Sequence, residues 1–130
     1  MKLSDLKSND DLIAEELERD PEFRAFWERT ALGRAVATAI VRYRGEHDLS
    51  QRDLARLVGM TQPQIARIEL GETNPSIETL QRLSAKLGIE FTIDVRPAGQ
   101  PARNLTKSAQ SRDLVGAAAT GEAALLVTTS

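Results

Sequence analysis

The chain has 130 residues, 17 of them Lys or Arg and 19 Asp or Glu, with a formal charge of -2 and an apolar fraction of 41%, the composition of one ordinary domain with room for a tail. No apolar run approaches the roughly 20 residues of a membrane span and the start MKLSDLKSNDD carries no signal-like stretch, so a cytoplasmic protein with no membrane partner is expected. With no cysteine and His47 as the single histidine, disulfide frameworks, thiolate metal sites and catalytic templates built on two histidines or on histidine with cysteine are excluded. No cofactor, metal site or catalytic residue is expected.

The first 29 residues carry nine acids against five bases, whereas residues 30 to 75 balance at +1. An acidic arm on a mildly basic centre fits two partners of opposite charge, and a solvated acidic helix explains the arm equally well. Within DDLIAEELER (10 to 19), Leu12, Ile13 and Leu17 fall at helical spacing, which predicts a short amphipathic helix. Asp20-Pro21-Glu22 combines a capping residue, a first-turn proline and a first-turn acid, predicting a second helix that runs on to about Glu46. Val36, Ile40 and Tyr43 on its later turns read as core. Phe23, Phe26 and Trp27 on its early turns, three of the five aromatics in the chain, lie outside the compact unit that follows and need something to bury them.

That unit spans Asp48 to Gly88. Ser50 caps the predicted helix of QRDLARLV, which stops at Gly59, and Thr61 caps that of QPQIARIEL, which stops at Gly71. Thr61 and Gln64 have capping-box spacing, with Pro63 tolerated in the first turn. A third helix follows Asn74-Pro75-Ser76 and places Ile77, Leu80, Leu83 and Leu87 on one face before Gly88. From Ile89 the period changes to two: Ile89, Phe91, Ile93 and Val95 alternate with polar residues as far as Pro97, predicting one half-buried strand. No second strand of comparable quality stands out, so its expected partner is the same strand of another copy, with Phe91, Ile93 and Val95 at the interface of a homodimer. Residues 98 to 130, with eight alanines and no aromatics, are expected to be a flexible tail.

Two short helices joined at Gly59-Met60 form a helix-turn-helix signature. Ala55 is small where the helices cross, Leu54, Val58, Ile65 and Ile68 supply the contacts between them, and Thr61, Gln62, Gln64 and Arg67 remain facing outward. Glutamine pairs in bidentate fashion with adenine and arginine with guanine in the major groove, so these four are the candidate base-reading residues. Arg44, Arg52 and Asn74 are candidate phosphate contacts. His47 beside Asp48 admits a general-base reading, but a surface or capping role at a helix end accounts for it more simply, and no zinc-ligand, nucleotide-loop or protease motif accompanies it.

The segment QRDLARLVGMTQPQIARIELG resembles the Cro and phage-repressor type of helix-turn-helix, the Xre family, over residues 49 to 88. The resemblance implies that Gln51 and Arg52 touch phosphates while Thr61, Gln62, Gln64 and Arg67 read bases; Pro63 departs from the polar residue many relatives carry. The flanks, from DPEFRAFWERT through QRLSAKLGIEFTI, are similar to HigA-type antitoxins over residues 20 to 97. That resemblance implies repression of the chain's own operon and binding of a RelE-like ribonuclease toxin, with Phe23, Phe26 and Trp27 as candidate toxin contacts.

The expected architecture is therefore mainly α, a bundle of four to five helices with one C-terminal β-strand paired across a homodimer. Its parts are an acidic arm (1–20), a helical domain (21–88) with the helix-turn-helix at 50–70, a dimerisation strand (89–97) and a flexible tail (98–130). The expected activity is non-enzymatic: an antitoxin that binds a palindromic operator in double-stranded DNA and a cognate toxin. The alternative is a stand-alone Xre-type transcriptional regulator.

Overall fold

The computed structural model describes residues 8–97, 113–119 and 123–129. Six helices come first: α1 (Asn9–Arg19), α2 (Pro21–Arg29), α3 (Ala31–His47), α4 (Gln51–Val58), α5 (Gln62–Leu70) and α6 (Ile77–Leu87). Three strands follow, β1 (Phe91–Pro97), β2 (Asp113–Ala119) and β3 (Ala123–Thr129).

Local chemistry explains most of the boundaries. Ser8, Ser50 and Thr61 each accept from the third helical amide while the residue there reaches back to the cap, so α1, α4 and α5 all open with a capping box. Gly59 ends α4 at φ 71°, and the Met60 amide donates to the Ala55 carbonyl at 2.9 Å. That 6→1 bond fixes a left-handed stop from which the chain turns directly into α5. Val36, Ile40, Leu54, Ala55, Val58, Ile65, Leu80, Leu83, Leu87 and Ile89 form one buried cluster, made by the inward faces of α3 to α6 as their periodicity requires and by Ile89 just beyond α6.

The expected single helix from Pro21 to Glu46 is interrupted at Thr30. In an unbroken helix the Gly33 amide would donate to the Arg29 carbonyl. Here the Asn74 side chain, from the loop after α5, stands between them: Gly33 N–H donates to Asn74 Oδ1 at 3.0 Å and Asn74 Nδ2 donates to the Arg29 carbonyl at 2.9 Å. An inserted polar side chain is a recognised cause of a kink. The other carbonyls at the bend are also satisfied, Phe26 by Thr30 Oγ1 at 2.8 Å and Trp27 by Arg34 Nη1 at 2.8 Å. Gly33 is needed here because an added Cβ would lie 2.3 Å from the Thr73 carbonyl oxygen.

The C-terminal region corrects two further expectations. β1 pairs antiparallel with β3 of its own chain, Ile93 opposite Val127, and β3 pairs with β2, giving a three-stranded sheet in the order β1-β3-β2. The backbone groups that seemed to call for a second copy are thus met within the chain along one edge of β1. Phe91 and Ile93 pack on the chain's own core cluster, and of the three expected interface residues only Val95 is exposed. The expected flexible tail holds two strands; its remaining residues 98–112, 120–122 and 130 lie outside the described residues, as do residues 1–7 of the arm. Val127 and Thr129 are buried, and β2 and β3 both pack on α3. Gly and Ala in 113–119 mask the strand signal, and Val127 of β3 reaches full burial in a strand that packs on α3.

Candidate nucleic-acid interface

α4 and α5 cross with Leu54, Ala55, Val58 and Ile65 buried between them, which turns the opposite side of α5 outward. Thr61, Pro63, Gln64 and Arg67 are exposed there, and Arg52 is exposed on the first turn of α4. The Thr61 cap uses part of this row: Thr61 Oγ1 accepts from the Gln64 amide at 3.3 Å, and Gln64 Oε1 accepts from the Thr61 amide at 2.9 Å. The Gln64 NH2 is the donor the cap does not use.

Gln62 is half-buried and belongs to a chain of hydrogen bonds that joins three helices. Arg44 donates from Nε at 2.8 Å and lies at 2.7 Å through Nη2 to Glu69 Oε1, and its Nη1 donates to the Leu49 carbonyl at 3.1 Å. Gln51 Nε2 donates to Glu69 Oε2 at 2.6 Å, and Gln62 Nε2 donates to Gln51 Oε1 at 2.8 Å. The Glu69 carboxylate, with its side chain 6% exposed, can only accept, so the Gln51 amide must turn its NH2 toward it. Its oxygen then faces Gln62 and draws the Gln62 NH2, leaving the Gln62 carbonyl oxygen and one N–H for an outside partner. Those are one acceptor and one donor side by side, the set that the major-groove edge of adenine complements.

The structure therefore divides the expected site residues. It brings Thr61, Gln62, Gln64, Arg67 and Arg52 to one surface. Arg44 and Gln51, expected at phosphates, are engaged in holding Glu69 and orienting Gln62, and the Asn74 amide is engaged at the Thr30 kink. Glu69 was not singled out from the sequence. Its signal is its position seven residues after Gln62, which puts both on one face of α5. Phe23 and Trp27 make a tilted ring contact on α2 with centroids 5.8 Å apart and planes inclined at 39°, Phe26 is 38% exposed, and the Arg34 guanidinium lies 3.5 Å from the Trp27 ring centre. Burial lowers the Arg34 pKa from its usual value, and the group stays charged in any ordinary buffer.

A helix of buried contacts crossed by a second that carries an outward polar row is the arrangement of a DNA-reading motif, and comparison with known proteins agrees. The helix-turn-helix family model matches residues 40–93. An uncharacterized HTH-type transcriptional regulator of Haemophilus influenzae is 39% identical over 92 residues, which are 71% of this chain and 90% of that protein. The protein belongs to the helix-turn-helix family of DNA-binding regulators. Antitoxin HigA1 of Mycobacterium tuberculosis is 33% identical over 86 residues, 64% of this chain and 58% of the antitoxin. The chain thus matches just under three fifths of HigA1's length. No solved structure matches it. Among the described residues no helix is long and apolar enough to cross a membrane, and no cluster of His, Cys, Asp and Glu is fit to hold a metal ion.

Proposed function

We propose that the protein is an antitoxin that represses its own operon through α5 and neutralises a small RelE-like ribonuclease toxin. The observation that carries the DNA half is the Arg44-Glu69-Gln51-Gln62 chain, which orients Gln62 before any DNA arrives and so lowers the ordering cost of base reading. Beside it, Arg67 offers the fork that guanine accepts, and Thr61 and Gln64 supply further hydrogen-bonding groups. Arg52 is the phosphate contact. Two copies with their α5 helices about one helical turn of DNA apart, roughly 34 Å, would read a palindromic operator from successive major grooves. The outer edge of β1 with exposed Val95 is the candidate dimer contact.

The similarity to HigA1 extends over 86 residues, longer than the 40–93 helix-turn-helix match, and this supports the toxin half. Phe26, Phe23 and Trp27 on an acidic arm suit a basic protein partner, because aromatic anchors contribute most in interfaces and opposite charge speeds encounter. A second reading, a stand-alone transcriptional regulator in the cytoplasm, is favoured by the Haemophilus influenzae relative, whose name records no toxin.

The deciding experiment is recovery of the full chain from its host after cross-linking, with identification of both protein and DNA. A small basic protein encoded beside it, together with its own promoter, supports the antitoxin; DNA from many promoters with no such protein supports the stand-alone regulator. Deleting residues 1–29 then tests the arm. The shortened chain should lose toxin neutralisation and keep its promoter DNA, and protection that survives the deletion would remove the toxin contact from the arm.

A further inference from the structure

We infer that the Thr30 junction is a hinge latched by the Asn74 side chain, so that the direction of the α1–α2 arm and the conformation of the loop behind α5 are set together. Asn74 lies three residues beyond the Gly71 cap of α5, yet its amide completes the backbone hydrogen bonding of a helix more than forty positions earlier in the chain, accepting from Gly33 and donating to Arg29. Asn74 is exposed and its bond to the Arg29 carbonyl lies at the surface, where water can replace it, whereas its bond to the buried Gly33 amide is part-buried, so the latch opens only if that amide finds another acceptor within the chain.

Two arrangements of the same residues follow. With the latch closed, α2 and α3 meet at a bend. With Asn74 withdrawn, the Gly33 amide and the Arg29 carbonyl are placed to bond each other directly, and α2 and α3 join into one helix from Pro21 to His47, the continuation that the sequence pattern favours. Thr30 already supports both, because its own amide donates to the Phe26 carbonyl and its carbonyl accepts from the Arg34 amide, each at 3.0 Å as in a helix.

Arg34 ties the arm's aromatic face to this junction: it lies over Trp27 and donates to the Trp27 carbonyl and to Thr30 Oγ1. A protein gripping Phe23, Phe26 and Trp27 therefore acts on the hinge, and the hinge acts on the loop that ends α5. Binding at the two places is linked in both directions. The linkage rests on the reading of α5 as the DNA-reading helix; the latch itself does not.

The chain has no cysteine, so spin labels go only where cysteines are placed. Ala25→Cys on α2 and Lys86→Cys on α6 are both exposed positions, and the distance between their labels is measured on the full chain by electron-electron double resonance. The latched protein should give one narrow distance. Asn74→Ala should shift or broaden it while thermal unfolding stays cooperative. Asn74→Asp, which still accepts from Gly33 but cannot donate to Arg29, should fall between the two and also decides the matter if the alanine variant does not fold. An unchanged narrow distance in the folded variants overturns the latch. Saturating the Asn74→Asp protein with its own-promoter duplex should narrow the distribution toward the wild-type distance; a bound duplex that leaves it unchanged overturns the linkage. Failure of any duplex to bind would instead count against DNA reading by α5, and the latch result, obtained without DNA, would stand.

Discussion

Among the described residues none claims Arg67 in the way Glu69 claims Arg44, and exposed Arg67 on α5 is suited to a base edge. Arg67→Ala should cost about 1 to 3 kcal/mol on the operator and little on random DNA, measured by fluorescence anisotropy at one salt concentration. An equal loss on both DNAs would assign it to phosphate. Asp53 is a stability residue. Hydrogen bonds from the Ser50 backbone amide and the Ser50 hydroxyl, with Arg56 nearby, hold its carboxyl below the usual carboxylate range. Since the folded pKa is the lower one, its contribution is present above about pH 4 and is lost as pH falls through the lowered value. Asp53→Asn should therefore flatten the fall in the urea midpoint as pH drops below about 4. Gly33 marks the opposite case, where space and not charge decides. An alanine there would drive its Cβ into the Thr73 carbonyl, which is backbone and not the free end of a flexible side chain, and Gly33→Ala should cost about 3 kcal/mol, the upper end of ordinary overpacking, in denaturant unfolding.

At the scale of elements, the helix-turn-helix owes its rigidity to both apolar contacts and the polar chain through Glu69. Glu69→Ala would leave Arg44 Nε and Nη2 and the Gln51 amide without their acceptor, while Arg44 Nη1 keeps the Leu49 carbonyl. The Arg44 side chain is 24% exposed, so water recovers part of the loss and the expected cost is about 2 kcal/mol, below the roughly 3 to 5 kcal/mol of a fully buried pair. A freed Gln62 should also discriminate adenine less well, and the operator-to-random affinity ratio should fall together with the melting temperature. An unchanged ratio would mean that Gln62 is not read against a base. These helices were legible in the sequence because their signals are local: the Ser50 cap, Thr61 with Gln64 and the Gly59, Gly71 and Gly88 stops each act within one turn of their own backbone, and the structure adds Asp53 as the partner of the Ser50 cap. The break at Thr30 was not legible, because the residue that causes it stands 44 positions further on and reaches back through space.

For the whole molecule, the sheet is part of the domain, because β2 and β3 cover α3 and bury Val127 fully. A chain ended after Pro97 should lose at least the roughly 1.5 to 3 kcal/mol of one buried aliphatic side chain and expose β1 along its β3 edge. A lower melting temperature and greater association than the full chain are expected, and an unchanged melting curve would show the sheet to be dispensable. The sequence by itself determined the helical unit from Asp48 to Gly88, the exposed Thr61, Gln64 and Arg67 with Gln62 half-buried among them, and a strand ending at Pro97, which the alternation starts at Ile89 and the structure starts at Phe91, because capping and periodicity are properties of neighbours in the chain. Only the tertiary structure decided that β1 finds its partner in β3, that Arg44 and Gln51 serve Glu69 and Gln62, and that Asn74 bends the long helix. Each of those depends on which distant polar group comes within hydrogen-bond reach once the core has closed, and no local pattern of residue types records that distance.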